Sequence, residues 1–166
     1  MVDISTVSIV IASAGVLVAA IYYVLQLRHQ NRMRHTDLVM RLYSTWQSKE
    51  LTDATLKVWN LEFEDYSDFV KKYGPWYSET EVYSAFRMVS NFFNEIGILL
   101  SKRLVDIEMV STMIGLSTKT TWEKIQPLVE GGRRQYGPHF FEDFEYLYNE
   151  MKKREKQLQK RGTKDG

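Results

Sequence analysis

The stretch VSIVIASAGVLVAAIYYVLQLRHQNRMRH (Val7–His35) decides how this chain is organised. No charged residue occurs from Ile4 to Leu27, a run of 24 positions. About 20 apolar residues are enough for a helix to cross a hydrocarbon core of about 30 Å. A surface helix of a water-soluble domain would carry a charged or polar stripe, and this run has none. The run therefore predicts a transmembrane anchor over residues 1–27.

A cleaved signal peptide is the main alternative interpretation of this run. The residues at both ends of the run disfavour that alternative. A signal peptide carries a basic segment before its apolar core and small residues at its cleavage site. Here Asp3 is the only charged residue before the run, which ends in Tyr22, Tyr23, Leu25 and Leu27. The pattern favours an uncleaved anchor with aromatic rings near one membrane interface.

The charges that follow the anchor predict its orientation. Residues 28–48 carry four basic side chains and one acidic side chain. Because basic residues beside a span stay on the cytoplasmic side, we expect a single-pass protein with its N-terminus outside and its C-terminal domain in the cytoplasm. Arg28, Arg32 and Arg34 are predicted to contact lipid headgroups, each contributing on the order of 1 kcal/mol.

Small residues recur along one face of the predicted anchor, at Ser8, Ala12, Gly15 and Ala19. Such spacing lets a second helix approach closely in a bilayer. It predicts contact with another copy of the chain or with another membrane protein. The alternative is a chance alignment, since short motifs have a high rate of false positives.

The remaining chain has the composition of one compact domain with unevenly distributed charge. Residues 49–151 carry 11 basic and 17 acidic side chains, a net charge of −6, whereas residues 152–166 carry 7 and 2, a net charge of +5. A formal net charge of +1 for the whole chain gives no basis for nucleic-acid binding. The absence of cysteine excludes disulfides, thiolate metal sites and thiol nucleophiles.

Apolar spacing predicts an all-α fold, in which the transmembrane helix continues into a cytosolic bundle of about five to six helices. No glycine separates Gly15 from Gly74, and no proline precedes Pro75, so the first helix can run through Gln47. We divide the chain into the anchor, a basic juxtamembrane stalk over residues 28–47, a helical domain over 48–151, and a charged, disordered tail over 152–166.

Capping residues predict where the helices of the domain begin and end. The predicted starts are Ser48 or Thr52 for the second helix, Ser67 for a short helix that ends at Gly74, and the capping box Ser78–Glu81 for a central helix that ends near Ser101. Three more helices are predicted for the rest of the domain. The first is a short helix that Asp106 caps and that runs through Ile114 to a close at Gly115. The second begins at Ser117 or Thr118, is kinked or truncated by Pro127 and ends at Gly131–Gly132, and the last carries Phe140–Met151.

Four blocks of this sequence resemble the prokaryotic membrane-anchored family called domain of unknown function 4760. They are QLRHQNRMRHTDLVMRLYSTW (26–46), NFFNEIGILLSKRLVD (91–106), TWEKIQPLVEGGR (121–133) and FEDFEYLYNEM (141–151). The resemblance covers nearly the whole chain and implies a single-pass helical protein. It implies no activity, cofactor or catalytic residues.

Glu95 is the most unusual acidic residue of the predicted domain, because the helix around it is otherwise apolar. With Asn91, Asn94 and Arg41 it forms a candidate buried polar cluster. The cluster is either a structural ion pair or a ligand site with a perturbed pKa, and we favour the ion pair. His29 and His35 are six residues apart, which is wrong for metal chelation on a helix, and no metal site is predicted.

These patterns favour a non-enzymatic protein that requires no cofactor. The expected function is that of an accessory subunit, tether or adaptor in a membrane complex. The alternative is a membrane-tethered sensor that holds a small ligand between its helices, with Asn94 and Glu95 lining the pocket. An enzyme ranks last, because no catalytic constellation occurs in the sequence.

Overall fold

The computed structural model describes residues 3–75 and 78–162, without the side chains of residues 4–12, 31, 32, 161 and 162. The described residues form six helices and no strand. Their bounds are Ile4–Trp46 (α1), Lys49–Trp59 (α2), Tyr66–Tyr73 (α3), Glu81–Ser101 (α4), Ile107–Tyr136 (α5) and Glu142–Gly162 (α6). The all-α prediction is confirmed, as is the continuation of the first helix well beyond Leu27.

The chain divides into two units within α1, the first ending at Asp37 and the second beginning at Leu38. The helical domain thus begins earlier than the predicted boundary at residue 48. The reason is burial: Val39 is 2 % exposed, and Leu42 and Trp46 pack against the core of the domain.

In the first unit, every side chain that the structure describes is exposed. The apolar ones include Val16, Leu17, Val18 and Ile21, each more than 60 % exposed. Over the described residues, whose side chains within α1 begin at Ser13, the structure contains no helix that is long and apolar enough to cross a membrane.

The second unit is built around α4, which packs against α2 and α6. Its fully buried side chains recur at helical spacing and include Tyr83, Phe86, Val89, Phe93 and Ile96. Burying an apolar side chain of this size stabilises the fold by roughly 1.5–3 kcal/mol. The predicted central helix is therefore confirmed, and it ends at Ser101 as expected.

Two of the predicted helix starts are confirmed and two are shifted. Ser48 caps α2 and Asp106 caps α5. The side chain of Asp65, not Ser67, caps α3 by accepting a hydrogen bond from the backbone N–H of Asp68 at 2.8 Å. Thr80 replaces Ser78 as the cap of α4. Each replacement has the same chemistry, since any short oxygen-bearing side chain satisfies an unpaired N–H.

The prediction of two short helices between Asp106 and Gly132 is wrong, because α5 is one helix of 30 residues. Pro127 lies inside it, although an interior proline costs about 3 kcal/mol. The burial of Ile125, Leu128 and Val129 around it offsets that cost. The helix ends instead at Gly137, whose φ of +98° favours glycine.

Gly131 and Gly132 allow close packing rather than ending α5. A Cβ added to Gly131 would overlap with the Tyr66 side chain of α3. One added to Gly132 would lie 2.8 Å from the Phe140 ring. Gly131 and Gly132 therefore form a contact surface on α5. Residues distant in sequence decide whether such a pair ends a helix or allows close packing.

The predicted disordered tail is also wrong over residues 152–162, because α6 continues to Gly162. Two ion pairs join α6 to α5 beyond Met151, namely Lys119–Glu155 at 2.6 Å and Arg154–Glu108 at 3.1 Å. The prediction of a disordered tail was based on the weak apolar face after Leu158. The two ion pairs hold the C-terminal part of α6 to α5 without a strong apolar face. Residues 163–166 of the predicted tail lie outside the described part of the chain.

Gly97 sets the distance between α4 and α6, because a Cβ there would overlap with the backbone carbonyl of Asp143. We expect Gly97→Ala to lower the free energy of unfolding by about 1–3 kcal/mol, since the two backbones must separate. Thermal or urea unfolding followed by circular dichroism measures the change.

Gly115→Ala is the matched control, because Gly115 is also inside a helix. Its added Cβ would meet only Ser111 at 3.7 Å and Met151 at 3.8 Å, which are ordinary contacts. This substitution is expected to raise the free energy of unfolding by about 0.5–1 kcal/mol through helix propensity alone. Equal effects of the two substitutions would contradict the packing role of Gly97.

Candidate functional site

The predicted buried polar cluster around Glu95 does not form. Glu95, Asn91 and Arg41 are exposed, and Asn94 is half-buried. The prediction failed because it took the apolar neighbours of Glu95 in sequence as neighbours in space. On α4, Phe92, Phe93 and Ile96 point into the core while Glu95 points to solvent. An exposed carboxylate needs no buried partner.

Asn94 has a structural contact instead of a place in a pocket. Its side-chain oxygen accepts a hydrogen bond from the backbone N–H of Phe144 at 3.2 Å. Phe144 lies in the first turn of α6, where backbone N–H groups lack partners within the helix. The contact therefore pairs a free backbone N–H of α6 and holds α6 to α4. The sensor alternative expected Asn94 to line a ligand pocket, and the side chain has this structural contact instead.

The structure describes four of the seven residues predicted to contact a second helix or lipid headgroups. Ser8, Ala12 and Arg32 lie outside the described side chains. Gly15, Ala19, Arg28 and Arg34 are exposed, and a Cβ on Gly15 would meet nothing within 4 Å. Their contacts with a second helix or with lipid headgroups stay predictions.

A groove of about 380 Å³ lies between α5 and α6, and we call it the α5–α6 groove. Its apolar residues include Leu116 on α5 and Met151 and Leu158 on α6. Leu116 is 81 % exposed and Leu158 is 51 % exposed, whereas Met151 is buried. Gly115 of α5 also lines the groove.

The rim of the α5–α6 groove is formed by charged side chains that are already paired. Glu155 accepts a hydrogen bond from Lys119, which raises the pKa of that ammonium group. Arg154 pairs with Glu108 on the other side. With its charges neutralised in pairs and its apolar side chains exposed, the groove suits an apolar partner surface more than proton transfer.

Two cavities of larger volume lie elsewhere on the domain. One of about 560 Å³ is lined by residues of α3 and α5, including Tyr66, whose hydroxyl donates to Gln135 at 2.7 Å. The other, of about 500 Å³, contains Trp46 and Trp59. Trp59 donates its indole N–H to Thr121 at 2.9 Å, so that its polar atom is used within the fold.

Two titratable groups of the domain, Tyr83 and His139, have structural contacts. Burial raises the pKa of Tyr83 to about 12, and its hydroxyl donates to the carbonyl of Gly74. His139 contacts Glu142 at 2.5 Å in the exposed turn before α6. Within the described residues, no group of three or more His, Cys, Asp or Glu side chains could hold a metal ion.

Comparison with known proteins gives one match. The family model described as Domain of unknown function (DUF4760) matches residues 9–151, which is most of the chain. No curated protein and no solved structure matches. The matched range contains most of the N-terminal run and most of the helical domain.

Sequence reasoning missed Leu116, the most exposed large apolar side chain among those that the structure describes. The predicted helix break at Gly115 placed Leu116 between two helices, so its position on a helix face was not considered. Once α5 is one helix, Leu116 lies out of phase with the buried positions Ile114 and Thr118. An apolar residue out of phase with a helix's buried stripe was the available signal.

Leu116 is expected to contribute nothing to folding, in contrast to Met151 in the same groove. Leu116→Ala should change the free energy of unfolding by no more than about 0.5 kcal/mol, as is usual for surface positions. Met151→Ala should cost about 2 kcal/mol or more, because it empties buried space. Urea unfolding of both variants measures the difference, and a large loss for Leu116→Ala would show that it is a core residue.

Proposed function

The chain belongs to the family described as Domain of unknown function (DUF4760), and we propose that it is a single-pass membrane protein whose helical domain binds a protein partner at the cytoplasmic face. Its function would be that of an accessory subunit, tether or adaptor. One observation carries this proposal: the uncharged run from Ile4 to Leu27 lies in a helix, and every side chain of the run that the structure describes is exposed.

An apolar surface of this kind is favoured in an apolar environment. Val16, Leu17 and Val18 occupy successive positions of α1 and so point in different directions around the helix, yet all are more than 60 % exposed. Exposing apolar surface to water costs a free energy of about 25 cal/mol per Å². A bilayer removes it from water on every side, and a helix pairs its own backbone groups there. Residues 4–12, outside the described side chains, extend the run to the required length.

The α5–α6 groove supports the partner-binding part of the proposal. Leu116 and Leu158 leave apolar surface beside a neutral rim, which is typical of a contact surface for another protein. Membrane attachment would hold the groove at the bilayer, where a membrane-bound partner is present at high local concentration.

The anchor is tested by introducing charge into the run. We expect the full chain to stay with membranes through an alkaline carbonate wash. Leu17→Arg combined with Val18→Arg should release it, because an arginine at the centre of a span costs about 2.5–3.5 kcal/mol. Immunodetection of the membrane and soluble fractions measures the shift.

Met33→Arg is the matched control, since Met33 is exposed but lies after the run among basic residues. It should remain in the membrane fraction. Release of the unaltered chain by carbonate, or an N-terminus found cleaved within the run, would contradict the anchor.

The partner is tested with a photo-crosslinking amino acid at Leu116 in cell membranes. We expect one discrete adduct, because Leu116 extends from the groove without contributing to the core. Leu56, which is 49 % exposed on α2, is the control position and should give no such adduct. An adduct of twice the chain's mass would identify a second copy as the partner. Identical patterns from the two positions would contradict a specific site in the groove.

A further inference from the structure

The C-terminal half of α6 carries a row of lysines on one face. Lys152, Lys153, Lys156 and Lys160 follow Asn149 at spacings of three, four, seven and eleven residues, which places all five on one side of the helix. All five are exposed. The other side of α6 carries the buried Phe144, Leu147 and Met151. We call the four lysines the lysine face.

Contacts within the domain neutralise only part of this charge. Lys153 pairs with Glu150 at 2.6 Å, and Lys152 lies over the ring of Tyr148 at 5.1 Å. Among the described residues, no acidic side chain pairs with Lys156 or Lys160. The only acidic residue from Lys152 to Gly162 is Glu155, which turns toward α5 to meet Lys119. The lysine face therefore presents several like charges together, of which only that of Lys153 is paired with a described acidic side chain of the domain.

We propose that the lysine face binds the anionic lipid headgroups of the bilayer and so fixes the orientation of the helical domain. This rests on the proposed function, which places the domain beside the cytoplasmic leaflet, where anionic lipids are found. The lysine face would be a second membrane contact, separate in sequence from the anchor and from Arg28, Arg32 and Arg34.

The acidic charge of the remaining domain favours one orientation of the domain at the bilayer, with the lysine face toward the lipid. Residues 49–151 carry a net charge of −6, so an anionic surface repels most of the domain and attracts the lysine face. The same acidic charge disfavours nucleic acid, whose phosphates would meet the acidic side chains as well. Attraction on one face and repulsion elsewhere hold α6 toward the bilayer, with the acidic surfaces turned away.

The experiment uses the full chain in nanodiscs, with a fluorophore on a single introduced cysteine. The chain has no cysteine of its own, so the label is unique. Asn149→Cys puts the probe on the lysine face without changing charge. Leu56→Cys on α2 is the control for the domain, and Gly15→Cys reports on the anchor. Nitroxide-bearing lipids quench a probe that lies in the bilayer or at its surface.

With phosphatidylserine in the disc, the Asn149 probe should be quenched more strongly than the Leu56 probe. The difference should vanish in discs of phosphatidylcholine alone and in about 1 M salt, where the Debye length is about 3 Å. Each lysine near an anionic surface contributes about fivefold to binding. Replacing Lys152, Lys156 and Lys160 by glutamine should therefore shift the ratio of bound to free domain on the order of 100-fold.

The matched control variant replaces Lys49, Lys71 and Lys102 by glutamine. These lysines are also exposed, and the net charge changes equally, but they lie outside α6. Their loss should leave the Asn149 signal unchanged. The salt comparison requires no lysine variant, so that it tests the proposal even if a triple variant fails to fold.

Several outcomes would overturn the inference. Equal quenching of the Asn149 probe in neutral and anionic discs would show a contact without charge selectivity, and loss of quenching on adding RNA would assign the face to nucleic acid. A quenched Gly15 probe with an unquenched Asn149 probe overturns this inference alone and leaves the anchor standing. An unquenched Gly15 probe overturns the proposed function, and the inference that rests on it.

Discussion

The close approach of α4 and α6 at Gly97 is the constraint on which the helical domain depends. Because no side chain separates the α4 backbone from the carbonyl of Asp143, the two helices can pack at short distance. At that distance Phe93 stacks on Phe144, with ring centroids 4.9 Å apart. The side chain of Asn94 also accepts a hydrogen bond from the backbone N–H of Phe144 in the first turn of α6. Phe144 in turn meets Trp122 of α5 at 5.0 Å. One missing Cβ thus allows three helices to share a continuous aromatic core.

The long α5 and α6 helices determine which surfaces remain available outside the core. Trp122 and Ile125 of α5 are buried, while Leu116 is left on the surface. α6 buries Leu147 and Met151 and continues beyond them as a charged helix joined to α5 by ion pairs. An apolar groove on one side of α6 and a lysine face on the other follow from this single extension. The two proposed contacts, with a protein and with lipid, therefore use different faces of the same helix.

Some features of the chain could be predicted from local sequence because neighbouring residues alone decide them. The helix starts at Ser48 and Asp106 depend on one side chain and the next few backbone N–H groups. The end of α3 at Gly74 depends on a positive φ followed by proline. Glu95 and the pair Gly131–Gly132 were misjudged because burial and close approach depend on residues far away in sequence. No local pattern reveals that Tyr66 needs the space at Gly131.

The sequence by itself determined that this chain is helical, that residues 4–27 form an uncharged run, and that its charge is concentrated in separate blocks. These properties follow from composition and periodicity along a few turns of chain. Only the tertiary structure decided that α5 runs through Pro127, that α6 extends to Gly162, and that Leu116 is exposed. The physical reason is that a helix continues or stops, and a side chain is buried or exposed, according to the free energy of contacts between distant segments. Those contacts outweigh the propensities of about 1–3 kcal/mol at single glycine and proline residues.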